Sequence, residues 1–140
     1  MIVPDTSGLL ALVDADQQDH AAAHAAVAAE PGPFLVSPFV LAELDYLLMT
    51  RIGVPAEVDL LREVAAGVYD LVPFGVEDLV EATDLIERYR DVRIGLADAS
   101  VAVVAARMRT TRLLTLDQRH FRAVKPLWGT AFTLLPADAP

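Results

Sequence analysis

The sequence contains no cysteine, and this absence excludes two kinds of site. Neither a disulfide framework nor a thiolate metal site can form, and a reducing compartment such as the cytoplasm is expected. The sequence also lacks an apolar run long enough to span a bilayer and a basic leader followed by an apolar stretch, which predicts a soluble protein without membrane association. With 140 residues, of which 54% are hydrophobic, the chain is predicted to form one compact domain over residues 1–140.

Basic residues are absent from the first part of the chain. Residues 1–50 hold seven acids and no Lys or Arg, and the formal net charge of the whole chain is −9. Such a charge opposes nucleic-acid binding, which relies on basic side chains near phosphates. However, nine of the eleven basic residues lie between Arg88 and Lys125, and ten of the eleven are Arg, which binds phosphate oxygens in pairs. An Arg-rich, Lys-poor composition equally fits a GC-rich genome, so both explanations stay open.

Short apolar runs alternate with helical segments along the chain. Strands are predicted at residues 1–4, 34–36, 69–72, 112–116 and 130–135. Helices are predicted at residues 9–13, 20–30, 38–52, 55–67, 77–89, 96–109 and 119–124. This alternation predicts a three-layer α/β/α fold in which a central, mostly parallel sheet is flanked by helices. In such sheets, functional sites form beyond the carboxyl ends of the strands.

Two acidic residues directly follow predicted strands. Asp5 comes after the first strand and Asp117 after the strand at residues 112–116, so both should project from the sheet edge where such folds place their sites. Each could instead be the cap of the helix that follows it. Their occurrence as a pair favours a shared functional role.

A third acid, Glu43, interrupts an apolar face of a predicted helix. At 100° per residue it lies between Phe39 and Leu47, whereas Asp45 falls on the opposite side. An unpaired carboxylate on a face directed at the core costs several kcal/mol or takes up a proton, so it requires a cation or hydrogen-bond donors. A buried salt bridge to an Arg is the alternative.

The fourth acid, Asp98, shows the same pattern on another helix. Small apolar residues such as Val101 flank it on one face, while Ser100 and Arg107 point the other way. Asp98 also lies in the first turn of its helix, where the helix dipole alone would favour an acid. The sequence therefore predicts either a metal ligand or a dipole-stabilising residue at this position.

Convergence of these four acids would require a multivalent cation to offset their mutual repulsion. Oxygen ligands without Cys, and without His beside any of the acids, select hard cations such as Mg²⁺ or Mn²⁺. His20 and His24 have the i, i+4 spacing of a zinc pair, but no third ligand accompanies them. His120 is expected to be a surface or capping residue rather than a base.

Four short motifs, in this order along the chain, resemble those of the PIN-domain ribonucleases, and in particular the VapC toxins of bacterial toxin–antitoxin pairs. They are Asp-Thr-Ser at 5–7, Val-Leu-Ala-Glu-Leu at 40–44, Leu-Ala-Asp-Ala at 96–99 and Thr-Leu-Asp-Gln-Arg-His-Phe at 115–121. The resemblance implies an endoribonuclease with Mg²⁺ or Mn²⁺ at its acids, a homodimer, and a VapB antitoxin that blocks the site. One residue departs from the family pattern, because Pro4 precedes the first acid and removes a donor from the strand.

Carried over position by position, the resemblance assigns three groups of residues. The metal-binding and catalytic acids would be Asp5, Glu43, Asp98 and Asp117. Supporting polar positions, which would orient water or phosphate, are Ser7 and Thr115. Candidates for binding the RNA backbone are Arg107, Arg109, Arg112, Arg119 and Arg122, although each could equally pair with the many acids on an exposed face.

Two other functions fit parts of the sequence. A Mg²⁺-dependent phosphatase or phosphoacceptor domain also places an aspartate after its first strand, but Thr6 and Ser7 follow Asp5, so the DxD arrangement is missing. A DxSxS pattern fails as well, because Leu9 replaces its second serine. A catalytically degenerate PIN scaffold or RNA-binding module is disfavoured because all four acids are present.

Overall fold

The structure, a computed structural model, describes residues 1–140 and contains five strands and seven helices, with one or two helices between successive strands. The strands are β1 Val3–Pro4, β2 Leu35–Val36, β3 Asp70–Leu71, β4 Arg112–Leu114 and β5 Thr133–Leu135. The helices are α1 Thr6–Val13, α2 His20–Ala28, α3 Pro38–Arg51, α4 Val54–Ala65, α5 Val76–Arg88, α6 Leu96–Arg107 and α7 Gln118–Ala123. None of these helices combines the length and the apolar character needed to cross a membrane.

All strand pairs in the sheet are parallel. β4 lies between β1 and β5, and β2 pairs with β3. A parallel bridge between Ile2 and Phe34 joins the two groups, which gives the order β3-β2-β1-β4-β5. The predicted parallel sheet flanked by helices is therefore confirmed, and β1 and β4 are central neighbours.

Pro4 limits the pairing of β1 on one side only. On the β4 side Pro4 pairs with Leu114, and the amide of Asp5 donates to the carbonyl of Leu114 at 3.0 Å. On the β2 side Ile2 makes both bonds of its bridge, and the next donor in a parallel ladder would be the amide of residue 4. Proline has no such amide, so pairing with β2 ends there while the junction with β4 remains intact.

Helix α6 is buried around its circumference rather than on one face. Every residue from Ala99 to Ala105 is buried, which small alanine and valine side chains allow because neighbouring elements can approach closely. The expectation that Ser100 points to solvent is wrong. Its hydroxyl lies 2.6 Å from that of Ser37 and donates to the carbonyl of Ala97 at 2.6 Å. These bonds satisfy both buried hydroxyls and fix the start of α3 against the start of α6.

Candidate functional site

Asp5 lies at the carboxyl end of β1 and begins α1 as its N-cap. The residue is 3% exposed, and its carboxylate accepts three hydrogen bonds: from the amide of Gly8 at 2.8 Å, from the Ser7 hydroxyl at 2.7 Å and from the Thr115 hydroxyl at 2.5 Å. Capping and a functional role are thus both compatible with this position, because the cap uses only one of the three donors.

Burial governs the charge of Asp5. Desolvation raises the pKa of this carboxyl to about 6, although its hydrogen bonds to Thr115, Gly8 and Ser7 act in the opposite direction. The charge of Asp98 raises the pKa further. A nearby cation would remove this penalty by stabilising the ionised form.

The hydroxyls of Ser7 and Thr115 bind Asp5 and thereby connect two loops. Ser7 accepts from the amide of Leu116 at 2.9 Å, and Thr115 accepts from the amide of Asp117 at 2.9 Å. Each hydroxyl thus links the Asp5 carboxylate to the backbone that follows β4. The structure shows these residues holding Asp5 in position, whereas the resemblance suggested contacts with water or phosphate.

Asp98, Asp117 and His120 form a cluster beside Asp5. The Nδ1 atom of His120 lies 2.8 Å from Oδ2 of Asp98 and 3.0 Å from Oδ2 of Asp117, and one ligand atom from each of the three residues lies within 4.8 Å of the others. Asp117 is also the N-cap of α7, since it accepts from the amide of His120 at 3.2 Å. The structure thus brings the first turns of α6 and α7 together at the sheet edge.

The carboxylates of this cluster carry more negative charge than the neighbouring basic side chains of the chain neutralise. Burial raises the pKa of Asp98, the contacts with His120 lower it, and the charges of Asp117 and Glu43 raise it again. Asp98 is therefore the acid that interacts with each of the other three. A set of carboxylate oxygens with excess negative charge fits a hard divalent cation, so the residues present suit the metal that the resemblance implies.

Glu43 differs from expectation in its burial. It is exposed on α3, whereas Val40, Leu44 and Leu48 are fully buried. The buried line of α3 runs through these three residues, so Glu43 lies at the edge of that face rather than inside it. Because Glu43 is exposed, its carboxylate does not need a cation or a hydrogen-bond donor to offset burial. Its charge nevertheless raises the pKa of Asp98.

Asp45 was expected on the polar side of α3. It is instead half-buried, beside the buried face formed by Val40, Leu44 and Leu48 and on the side opposite Glu43. Its Oδ1 atom is buried and has no hydrogen-bond partner within the chain. Its carboxylate interacts with Glu57 of α4 and raises the pKa of Glu57 through a hydrogen bond between the two side chains. The helical wheel placed the centre of the buried face about one residue away from its position in the structure.

Three of the five candidate RNA-binding arginines are paired with acids within the chain. Arg107 donates to Asp78 at 2.6 Å, and Arg112 and Arg122 bind the carboxylates of Glu30 and Asp138. For these three residues the structure thus shows pairing with acids, which was the alternative to RNA binding. Arg109 is exposed with a positive φ of 54°.

Arg119 is the candidate arginine nearest to the cluster, and a second basic residue accompanies it. Its guanidinium lies 3.4 Å from Nε2 of His120, and a groove beside that ring is also lined by Arg93. Sequence reasoning missed Arg93, because nothing local distinguishes it from other exposed arginines. It also missed the contacts of His120, although a residue three positions after an N-cap faces that cap in the first turn.

The chain matches one family over most of its length. The PIN domain family pattern covers residues 2–126. Ribonuclease VapC26 of Mycobacterium tuberculosis (strain ATCC 25618 / H37Rv) is 46% identical over 135 residues, which are 96% of this chain and 100% of that protein.

Three solved structures share the fold. A crystal structure of Mycobacterium tuberculosis VapC20, described as a sarcin-ricin loop cleaving toxin, matches with a TM-score of 0.81 and 24% identity over 88% of this chain and 95% of that one. Rickettsia felis VapBC2, bound to a DNA fragment from its promoter, gives a TM-score of 0.69 and 18% identity over 96% and 98% of the two chains. FitAcB of Neisseria gonorrhoeae matches with a TM-score of 0.66 and 17% identity over 88% of this chain and 92% of that one.

Proposed function

The chain belongs to the PIN domain family and is a homologue of the VapC ribonucleases, and from this premise we propose that it is a metal-dependent endoribonuclease toxin. Residues 1–140 would form a single PIN domain. The observation that carries the proposal is the meeting of Asp5, Asp98 and Asp117 at the carboxyl edge of β1 and β4. Acids at this edge suit phosphodiester hydrolysis better than a purely structural role, because burying unneutralised carboxylates lowers stability.

The metal-binding residues in this proposal are the four acids Asp5, Glu43, Asp98 and Asp117. A bound Mg²⁺ or Mn²⁺ ion would lower the pKa of a coordinated water and stabilise charge on the phosphate. Asp5, fixed by three hydrogen bonds, would provide a rigid ligand. Asp98, half-buried and with a raised pKa, is suited to accept a proton from the attacking water.

Binding of the RNA backbone is proposed for the arginines beside this cluster. Arg119 and Arg93 line the groove next to His120 and form no ion pair within the chain. Their guanidinium groups can donate to phosphate oxygens in pairs and would offset repulsion between RNA and the acids. Arg107, Arg112 and Arg122, which are paired with acids, are weaker candidates for the same role.

The partners proposed are RNA, a VapB-like antitoxin and a second copy of the chain, in the cytoplasm. Solved relatives of the same fold include a VapBC complex from Rickettsia felis. Large apolar side chains are exposed on α3, α4 and α5, among them Tyr46, Met49, Val54 and Val76. Apolar surface of this kind is available for burial against partner chains.

Cleavage of RNA by the purified protein tests the proposal. Total RNA and a sarcin-ricin loop oligonucleotide should give discrete fragments with Mn²⁺ or Mg²⁺ and none with EDTA. Asp98→Asn should lower the cleavage rate by roughly a hundredfold or more, because loss of even a supporting contact at a metal site costs 10- to 100-fold. Asp59→Asn, an exposed acid of α4, is the matched control and should keep the wild-type rate.

Two outcomes would contradict the proposal. Fragments that persist in EDTA would show that the activity does not depend on a metal. A folded protein that cleaves none of the RNAs with either metal would favour a PIN scaffold without catalysis. Co-expression with the neighbouring small gene product should abolish cleavage if that product is the antitoxin.

A further inference from the structure

His120 occupies a position that the four-acid description of the site does not explain. Its Nδ1 atom lies between Asp98 and Asp117, at 2.8 Å and 3.0 Å from their Oδ2 atoms. The side chain is 13% exposed, less than those of Asp98 at 22% and Asp117 at 32%. The contact with Asp117 follows from the first turn of α7, but the contact with Asp98, which lies on α6, does not.

The backbone that carries His120 is fixed by its surroundings. The amide of His120 donates to Oδ1 of Asp117, and the next residue, Phe121, is buried and packs edge-to-face against Phe132 with ring centroids 5.9 Å apart. The imidazole is therefore delivered to the two acids by a short helix with a cap at its start and an aromatic anchor.

Two of the three separations within the cluster match those of adjacent ligand atoms around one ion. For metal–ligand bonds of about 2.1 Å, adjacent ligand atoms in an octahedral shell are about 3 Å apart and opposite ones about 4 Å apart. The two distances from Nδ1 fall at the adjacent value. The third separation, between the acids, stays within 4.8 Å, which a small movement of one carboxylate would bring into range.

We propose that His120 is itself a metal ligand, binding through Nδ1 the cation that Asp98 and Asp117 bind through oxygen. This inference rests on the proposed metal-dependent function and changes its ligand set from oxygen only to mixed nitrogen and oxygen. An imidazole nitrogen is a softer donor than a carboxylate and favours first-row transition ions over Mg²⁺. The site should therefore prefer Mn²⁺ to Mg²⁺.

Binding of a cation through Nδ1 requires that this nitrogen carry no proton. A neutral imidazole bound in this way would carry its ring proton on Nε2. Arg119, which lies 3.4 Å from Nε2, is exposed and can turn toward solvent or RNA.

Electron paramagnetic resonance of protein loaded with Mn²⁺ alone tests this assignment without an activity assay. Wild-type protein should show a nitrogen hyperfine coupling of a directly bound imidazole, and selective labelling with ¹⁵N-histidine should change that coupling. His120→Gln should lose the signal and bind Mn²⁺ at least about tenfold more weakly, with a smaller loss for Mg²⁺. Gln keeps a hydrogen-bond donor, so this variant separates ligation from a donor role.

His24→Ala is the matched control, since its imidazole lies on α2 and contacts the carbonyl of Leu12. It should retain both the nitrogen coupling and the wild-type Mn²⁺ affinity. Absence of the coupling from wild-type protein that binds Mn²⁺ would overturn the assignment even if no His120 variant folds. Tighter Mn²⁺ binding by His120→Gln would also overturn it, because His120 would then compete with the ion.

The outcomes for the ligand and for the nuclease are separable. RNA cleavage with Mn²⁺ but without nitrogen coupling would leave the proposed function standing and remove only this ligand. Nitrogen coupling in a protein that cleaves no RNA would support the ligand and contradict the nuclease.

Discussion

In the proposed metal site, Asp5 is a carboxylate whose position has a cost in the stability of the fold. Three hydrogen bonds fix its orientation, but burial leaves the pKa of the carboxyl at about 6, well above its usual 3.8. The folded protein thus binds a proton at Asp5 more tightly than the unfolded chain does. Without a metal, ionised Asp5 destabilises the fold near neutral pH.

A comparison of wild type with Asp5→Asn in EDTA measures this effect. Below pH 4 the carboxyl is protonated in both the folded and the unfolded state, so its raised pKa has no net effect there. As pH rises from about 4 to about 6, the unfolded chain ionises first and the wild type loses stability relative to the variant. The difference in the free energy of unfolding between wild type and variant should change by about 3 kcal/mol over this pH range, given the rise in the pKa of Asp5 from 3.8 to about 6. Urea denaturation at several pH values checks it, and a difference that does not vary with pH would contradict the burial argument.

At the level of elements, the site depends on the close contact between the start of α1 and the end of β4. Gly8 lies where a Cβ atom would press against the carbonyl oxygen of Leu114 and lie 2.9 Å from its Cγ. The same turn of α1 carries the amide that binds Asp5. Close approach of these two backbones, rather than an unusual φ, is what requires glycine here.

Gly8→Ala should separate α1 from β4 and destabilise the protein. Overpacking costs about 1–3 kcal/mol, and the rigid carbonyl at this contact favours the upper end of that range. Gly75→Ala is the control, because an added Cβ there meets nothing within 4 Å. Thermal or urea unfolding of the two variants checks the prediction. A Gly8→Ala protein as stable as Gly75→Ala would show that the contact relaxes freely.

For the whole molecule, charge determines how RNA can be bound. The chain carries −9, and Arg90, Arg107, Arg112 and Arg122 are paired with acids of the chain. Of the seven basic residues that form no ion pair, Arg93 and Arg119 are the two that line the groove beside His120, so few basic side chains can contact phosphates near the site. A protein of this kind should bind RNA with less dependence on salt than a basic nuclease does.

The salt dependence of RNA binding by the Asp98→Asn variant tests this point. If Arg93 and Arg119 each contact one phosphate, the slope of log affinity against log salt should be about −1.4 per protomer, from about −0.7 for each contact with single-stranded RNA. Replacing both with Ala should bring the slope close to zero, whereas Arg62→Ala, an exposed residue of α4, should leave it unchanged. A slope several times steeper would require contacts from many more basic residues.

The sequence by itself determined the parallel α/β architecture and the positions of Asp5 and Asp117. Both follow from local patterns, since apolar runs and caps define the elements, and the carboxyl ends of parallel strands share one edge. The ends of the elements differ by a few residues, because pairing and caps rather than propensity set them.

Only the tertiary structure decided which helix faces are covered. A helical wheel assumes one buried face, but neighbours enclose α6 on all sides, so Ser100 is buried, while the buried line of α3 leaves Glu43 exposed. The contact of His120 with Asp98 joins residues 22 positions apart, and no local pattern encodes it. Side-chain contacts of this kind depend on how α6 and α7 meet at the sheet edge, which is a property of the packed chain.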